Sequence, residues 1–418
     1  MVRLIQPGPR LDPSLTVDLD WDNEAAAPLI LANPEWVKRY PEAAEAARRM
    51  LPELPGHVFV ATSGTSRGGD GQPRWVALSR RALLASAAAV NRHLQSGPAD
   101  VWAHALPRFH VGGLGILVRA RLSGAAVEDA AGGRWDPAVF HRLARDRRAT
   151  LSALVPTQVH DLVTAGLAAP PSLRAVVIGG GRLEPSLWER ARALGWPCLP
   201  SYGLTETASQ VATASFDDLV GTGYPSALPL LDHAEAKAGE DGVVWIRAAS
   251  LLTAYVEIEG GAVRQWSPRD GEGWFRTGDL GTVQGGRLEV RGREADTVKV
   301  LGELVWLPRV EEAVAGWAAR EPMLAGWRVD LAVAAVPHPR LGHELVLALA
   351  LDAGEGAAPR AELLLASLGE FQATVSLAYE RVRRVALVSA IPRTALGKCR
   401  RPLLTAQLSN RASPPGPS

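Results

Sequence analysis

A chain of 418 residues is too long for one small domain and long enough to bury a core in two or three compact units. Its 47% hydrophobic and 21% charged content excludes a disordered chain, and 45 basic against 44 acidic residues leave no basic footprint for nucleic acid. Two cysteines, Cys198 and Cys399, exclude a disulfide framework or a CxxC metal site, and no apolar stretch approaches the roughly 18 residues of a membrane span.

The first residues, MVRLIQPGPR, lack the apolar segment of a leader peptide, so the expectation is a cytoplasmic protein. Only Lys38, Lys237, Lys299 and Lys398 are lysines among the 45 basic residues, which makes each lysine informative. Residues 1–55 are mixed, with a helical run around 35–50. An apolar run at 57–61 reads as a buried strand that ends in the polar, glycine-rich loop 62–71. Free N–H groups and hydroxyls on such a loop suit phosphate oxygens, and a plain surface loop is the alternative. No Gly-Lys-Ser/Thr closes it, so it is not a Walker A loop. Ser79 reads as the N-cap of a helix reaching about Leu94.

Strands are predicted at 101–106, 150–155, 174–178 and 198–202, with helices opening at Pro156 and spanning 185–194. Strands alternating with helices predict an α/β core with a largely parallel sheet. After about residue 215, short strands at 243–247, 281–283 and 287–290 predict a mainly β subdomain. The glycine-bearing stretch 291–296 reads as a linker. Beyond it, helices near 308–317 and 360–368 and strands at 329–336, 344–351 and 382–387 predict a small α+β domain. The predicted division is 1–293, a hinge at 294–296, a lid domain 297–410 and a frayed tail 411–418.

Four segments carry candidate chemistry. The loop 62–71 is the first. Ser201-Tyr202-Gly203-Leu204-Thr205-Glu206-Thr207 is the second, at the carboxyl end of a predicted parallel strand, where open α/β sheets bind ligands. Tyr202 offers a flat ring for a base, Thr205 a hydroxyl for a phosphate and Glu206 a hard oxygen for Mg2+. An ordinary first helical turn is the alternative there. In Gly273–Gly281 an aspartate flanked by glycines, Asp279, can accept two hydrogen bonds from a ribose diol, although such residues are commonly turn or cap residues. Lys398 ends the glycine-bearing run Pro392-Arg393-Thr394-Ala395-Leu396-Gly397-Lys398.

The ordered series TSGTS, FHVGG, GGG, YGLTET, WFRTGDLG, GREADTVKVLGE and PRTALGK resembles the adenylate-forming superfamily of acyl-CoA synthetases, firefly luciferases and peptide-synthetase adenylation domains, over about 58–401. The resemblance implies a large N-terminal α/β domain of mixed sheets with a β subdomain, and a small mobile α+β C-terminal domain. It implies that Thr62, Ser63, Gly64, Thr65 and Ser66 hold the ATP β- and γ-phosphates, with Arg74 where the family has lysine. Gly179, Gly180, Gly181 and Tyr202 would wall the adenine and acyl pocket. Thr205 would touch the α-phosphate, Glu206 would bind Mg2+, and Asp279, assisted by Arg293, would hold the ribose. Lys398 would bridge the carboxylate and α-phosphate, and His110 would lie beside the acyl site and the CoA tunnel. The implied partners are a small carboxylic acid, ATP with Mg2+, and CoA, with no nucleic acid and no membrane span; a homodimer is left open.

The runs FHVGGLGILVR and TETASQV look like the o-succinylbenzoate–CoA ligases of quinone biosynthesis. That substrate has a second carboxylate, for which Arg119, Ser209 and Gln210 are candidates. The alternative for Arg119 is the exposed face of an amphipathic helix, and Ser209 and Gln210 are expected chiefly to shape the pocket. The sequence departs from the family in a lengthened phosphate loop, in Arg74, in Ala295 at the hinge position and in a short stretch before the phosphate loop. The rivals are another aryl- or acyl-CoA ligase, an enzyme that loads a carrier protein, and a non-catalytic nucleotide-binding relative.

Overall fold

The computed structural model describes residues 3–5, 23–62, 73–130, 135–352, 359–393 and 399–409. Between 101 and 213 the expected alternation of strand and helix is present. Ala126–Asp129, Val101–His104, Leu151–Leu154, Ala175–Ile178 and Cys198–Leu204 are neighbours in that order, all parallel. The inner strands Leu151–Leu154 and Ala175–Ile178 are buried at every position, as apolar runs covered on both faces must be. Ser209–Thr213 completes the sheet, antiparallel to Cys198–Leu204.

A largely parallel core describes that sheet and not its neighbour. His57–Ala61 pairs antiparallel with Trp75–Ser79, which in turn pairs antiparallel with Ala254–Glu259, followed by Ala262–Trp266. Leu29–Leu31 and Arg3–Ile5 continue the sheet on the other side, parallel. The helix expected over 35–50 is two helices, Pro34–Arg39 and Pro41–Met50. Pro41 cannot donate a backbone bond and drives Tyr40 out of the helical region, to φ −130 and ψ 65. Ser79 caps Arg80–Leu94 as the sequence suggests, its Oγ accepting the Ala82 N–H at 3.0 Å.

The β subdomain is a five-stranded sheet in the order Leu228–Pro229, Arg287–Arg293, Phe275–Gln284, Val243–Ala248, Ala234–Ala238. Two expectations are corrected here. Asp279 stands within a ten-residue strand rather than a turn, and the predicted linker is strand as far as Arg293, followed by a 3-10 turn over Glu294–Asp296. Hydrogen bonding along the ladder outweighs the local preference of the glycines for turns.

The chain divides into two compact units, one of residues 1–277 with 281–290 and one of 278–280 with 291–418. In the second unit the hairpin Thr297–Val300 and Glu303–Trp306 leads into the helix Leu307–Ala318. A three-stranded sheet follows, Arg328–His338, Gly342–Asp352 and Arg384–Val388. Strand periodicity divides its two faces. Val333, Leu345, Leu347 and Leu349 pack with Val314, Trp317, Leu364 and Leu368, while Ala332, Ala334, Val346 and Ala348 pack with Leu404 and Leu408 of the helix Arg401–Ser409. Among the described residues no helix is long and apolar enough to cross a membrane.

His233 in the first unit has been taken deep enough to change its chemistry. Its Nε2 lies 3.0 Å from Ser250 Oγ, its buried Nδ1 has no partner among the described residues, and burial pushes its pKa down to about 4. The unfolded chain protonates this ring near its ordinary value of 6.5, while the folded chain resists down to about 4. Stability therefore falls as pH drops from 6.5 toward 4, by on the order of 3 kcal/mol from this group. Urea denaturation across that window checks it: His233→Gln should flatten the acid limb, and an unchanged slope would contradict the assignment.

Candidate functional site

The segment YGLTETASQ is a β-hairpin. Cys198–Leu204 returns as Ser209–Thr213, with Ser209 opposite Leu204 and Gln210 opposite Gly203. The reversal is tight enough that a Cβ on Gly203 would lie 2.0 Å from the Ser209 carbonyl oxygen. Ala208 takes a left-handed φ of +56 to complete the turn. The buried Thr207 hydroxyl accepts the Leu204 N–H at 2.9 Å and donates to the Ser209 carbonyl at 2.6 Å. Thr205–Thr207 thus forms a pinned 3-10 turn, not the first turn of a longer helix. At its tip the Glu206 carbonyl accepts from Leu252 N–H at 2.8 Å, and Glu206 Oε1 accepts from the Tyr255 hydroxyl at 2.7 Å. The other Glu206 carboxylate oxygen has no partner among the described residues.

Tyr255 joins this turn to the hairpin His57–Ala61 and Trp75–Ser79. Thr62 N–H donates to the Arg74 carbonyl at 3.0 Å, closing the base of the loop. The Arg74 guanidinium lies 5.0 Å from the Tyr255 ring centroid and 5.5 Å from that of Trp266, and its Nε donates to Glu257 Oε1 at 2.7 Å. Arg74 and Glu206 therefore use the face and the hydroxyl of one tyrosine. Neither Tyr255 nor Glu257 was expected; the only signal is the period-2 pattern of Tyr255-Val256-Glu257, which sends both side chains to one face. Gly179, Gly180 and Gly181 follow Ala175–Ile178, whose Ile178 is paired with Pro200 on the next strand; a Cβ on Gly179 would lie 3.4 Å from Ser201 Oγ, while Gly180 and Gly181 face Val155 and Pro156. Ser201 Oγ donates to the Ile178 carbonyl at 2.9 Å, and Gly180 takes a φ of +77.

The second cluster lies along the helix Val111–Ser123, which His110 precedes as N-cap residue. The His110 ring packs on Phe109 at 4.7 Å between centroids, and its buried Nε2 has no partner among the described residues. Burial pushes its pKa down to about 4, so the ring is neutral at pH 7. Arg119 is 1% exposed, which removes the exposed-face alternative. Its Nη2 donates to Ser209 Oγ at 2.8 Å, its guanidinium lies 5.8 Å from the Trp102 ring centroid, and its buried Nε has no partner among the described residues. It makes no ion pair with a carboxylate among the described residues. Burial pushes its pKa down to about 10, which leaves it charged at pH 7. Gly115, one turn earlier, makes room: a Cβ there would lie 3.0 Å from Arg119 Nη2. Gln210 Nε2 donates to Thr213 Oγ1 at 2.9 Å, and its buried Oε1 is unpartnered.

Three residues that sequence reasoning passes over hold the start of this helix. His104 Nδ1 lies 2.9 Å from Asp129 Oδ1 and its Nε2 lies 3.2 Å from the Gly113 carbonyl, while Arg108 also pairs with Asp129. Gly113 has no room for a side chain, since a Cβ would be 2.3 Å from the Pro107 carbonyl oxygen.

The hairpin therefore brings Thr205, Glu206, Ser209 and, through Ser209, Arg119 into one constellation of the first unit. Asp279 and Arg293 belong to the second unit, where Arg293 Nε donates to the buried Asp279 Oδ1 at 2.7 Å. Ser63, Gly64, Thr65, Ser66 and Lys398 lie outside the described residues. Among the described residues no three His, Cys, Asp or Glu side chains cluster as a metal cage. A Mg2+ ion at Glu206 would then take most of its ligands from substrate phosphates and water, the usual arrangement for that ion.

The chain is 31% identical over 265 residues to the 2-succinylbenzoate–CoA ligase of Bacillus licheniformis, covering 61% of this chain and 53% of that protein. It is 34% identical over 252 residues to the 2-succinylbenzoate–CoA ligase of Escherichia coli, covering 60% and 52%. It thus spans about half the length of these curated relatives. An Escherichia coli MenE variant solved with bound OSB-AMS superposes with a TM-score of 0.63 at 26% identity, covering 85% of this chain and 69% of that one. The AMP-binding enzyme family model matches residues 33–256, more than half of the 418, and takes in every candidate residue of the first unit. The chain belongs to the AMP-binding enzyme family.

Proposed function

We propose that the protein is an ATP-dependent carboxylate–CoA ligase whose acid is o-succinylbenzoate. The observation that carries the choice of acid is the buried Arg119. A charged guanidinium out of water is costly unless an anion meets it, and no protein carboxylate does so among the described residues. Its unpartnered Nε is a ready donor to a carboxylate oxygen, in a charge-assisted bond. A diacid suits this arrangement: one carboxylate reacts and the other is held.

In the first half-reaction the aliphatic carboxylate oxygen bonds to the ATP α-phosphorus and the bond to pyrophosphate breaks. Two anions approach, so cations must offset their repulsion as charge develops. Mg2+, when bound, neutralises phosphate charge. On the chain's side, Glu206 would hold that ion with its unpartnered oxygen while Tyr255 fixes the other. Thr205 would donate its hydroxyl to an α-phosphate oxygen, Asp279 with Arg293 would hold the ribose, and Lys398 would bridge carboxylate and phosphate. Thr62, Ser63, Gly64, Thr65, Ser66 and Arg74 would serve the outer phosphates, and Gly179, Gly180, Gly181 and Tyr202 would line the adenine and acyl pocket. In the second half-reaction the CoA thiolate bonds to the acyl carbon and AMP leaves. A neutral His110 beside the acyl group would not trap the thiolate as an ion pair. The second unit would turn about 294–296 between the steps, withdrawing Lys398 to admit CoA. ATP and CoA as co-substrates put the reaction in the cytoplasm.

Pyrophosphate exchange with a panel of acids tests the reading. O-succinylbenzoate should be turned over far better than benzoate or a fatty acid; the reverse order would reject the acid assignment. Arg119→Ala should lower kcat/KM for o-succinylbenzoate about 100-fold or more, while 4-oxo-4-phenylbutanoate, which lacks the second carboxylate, loses at most a few-fold. Equal losses for both acids would remove Arg119 from recognition. Tyr255→Phe keeps the ring beside Arg74 and deletes the bond to Glu206. Half-saturation by Mg2+ should rise several-fold with kcat at saturating Mg2+ within about tenfold of wild type; an unmoved Mg2+ dependence would contradict the role of that hydroxyl.

A further inference from the structure

Glycine weakens a helix relative to alanine, so a glycine in a buried helix calls for a reason in its surroundings. The helix Val111–Ser123 carries three, Gly112, Gly113 and Gly115. What an added Cβ would meet separates them. At Gly113 it would lie 2.3 Å from the Pro107 carbonyl oxygen and 2.7 Å from that of Leu106, so backbone excludes a side chain there. At Gly112 it would meet the Leu106 side chain, Cδ1 lying at 3.2 Å. At Gly115 the three nearest atoms outside the helix backbone all belong to one guanidinium: Arg119 Nη2 at 3.0 Å, Cζ at 3.4 Å and Nε at 3.7 Å. Gly113 answers to the fold, and Gly115 answers to the Arg119 side chain.

Helix geometry explains the pairing. A long side chain on a helix points back toward the N-terminus and lies over the residue four positions earlier. Arg119 thus lays its guanidinium across position 115. Its surroundings hold it there. The side chain is buried, and Nη2 donates to Ser209 Oγ at 2.8 Å. The Asn91 side-chain amide, on the helix Arg80–Leu94, donates to the Arg119 carbonyl at 2.9 Å and fixes the backbone beneath it. The Nε that an added Cβ would crowd is the one with no partner among the described residues.

We infer that Gly115 is a positioning residue that sets the preference for an acid with a second carboxylate, by leaving Arg119 the room to present its guanidinium from one fixed place. The inference rests on the anion-binding role proposed above for Arg119. Position 115 lies in regular helix, where alanine is unstrained. A methyl group there would instead displace the guanidinium by a few tenths of an ångström. Charge-assisted hydrogen bonds are short and directional, so such a shift weakens the hold on a carboxylate. An acid without that carboxylate has nothing to lose by it. Gly115 acts only through Arg119.

Full-length Gly115→Ala, Arg119→Ala and the double variant are assayed by pyrophosphate exchange with o-succinylbenzoate and with 4-oxo-4-phenylbutanoate, and Tm is recorded. Gly115→Ala should lower kcat/KM for o-succinylbenzoate about 10-fold and keep that for 4-oxo-4-phenylbutanoate within about threefold of wild type. Tm should stay level or rise, because alanine is the better helix former. In the Arg119→Ala background the same substitution should change neither acid by more than about twofold, since the side chain it disturbs is gone. Equal losses for the two acids, a lowered Tm or insoluble protein, or a penalty that persists without Arg119 would each overturn the inference and mark Gly115 as purely structural. If Arg119→Ala separates the two acids and Gly115→Ala does not, this inference alone fails. If Arg119→Ala does not separate them, the assignment of the acid fails and this inference with it.

Discussion

A buried positive charge that meets no carboxylate among the described residues is the constraint around which the first unit is organised. Placing the Arg119 guanidinium in the interior is tolerable only because Ser209 accepts one N–H, the Trp102 ring lies near it and Gly115 leaves it space. None of these supplies negative charge. Among the described residues the charge is left unbalanced, which is what supports the proposal that a substrate anion meets it. The Thr205–Ala208 reversal extends the consequence. Ser209, bonded to Arg119, is three residues from Glu206, whose second carboxylate oxygen has no partner among the described residues and is the proposed cation ligand. One hairpin therefore carries an anion-seeking end and a cation-seeking end, a fixed peptide distance apart. A substrate with a carboxylate at one end and a metal-bound phosphate at the other matches both.

That hairpin cannot relax, because its backbone is locked from inside. Thr207 uses its hydroxyl as donor and acceptor to its own turn, Gly203 has no volume for a side chain, and Ala208 is left-handed. From outside, the 252–255 segment binds both the Glu206 carbonyl and its carboxylate, and Thr253 N–H bonds to the Ala77 carbonyl at 2.8 Å. Strand Ala254–Glu259 thereby couples the antiparallel hairpin His57–Ala61 and Trp75–Ser79 to the turn bearing Glu206. Preorganisation of this kind is what electrostatic catalysis requires, since dipoles already aimed need no reorganisation during the reaction.

The elements that the sequence announces are those written in local chemistry. Ser79 marks a helix start, Pro156 another, and the apolar runs 151–154 and 175–178 mark strands covered on both faces. Pro41 is equally local and divides a run whose apolar periodicity alone suggests one helix. What escapes is tertiary. Nothing near Trp75 in the chain points to its pairing with Val256, some 180 residues away, and the glycines around Asp279 favour a turn until the ladder with neighbouring strands makes them strand. The candidate residues divide in the same way. Glu206, Arg119 and Ser209 stand in recognisable runs, whereas Tyr255, Glu257 and the His104–Asp129–Arg108 cluster gain meaning only from their neighbours in space. Even Arg119 is legible as a residue but not as an environment, because an i, i+4 glycine and a buried face look like an ordinary helix in one dimension.

The most direct test is a crystal structure with a non-hydrolysable sulfamoyl-adenosine analogue of o-succinylbenzoyl-AMP and Mg2+ bound. The account predicts the aromatic carboxylate within hydrogen-bonding reach of Arg119 Nε, directly or through one water, with the sulfamoyl group beside Thr205 and Glu206. A ligand whose carboxylate points to solvent while Arg119 keeps only its Ser209 partner would contradict it.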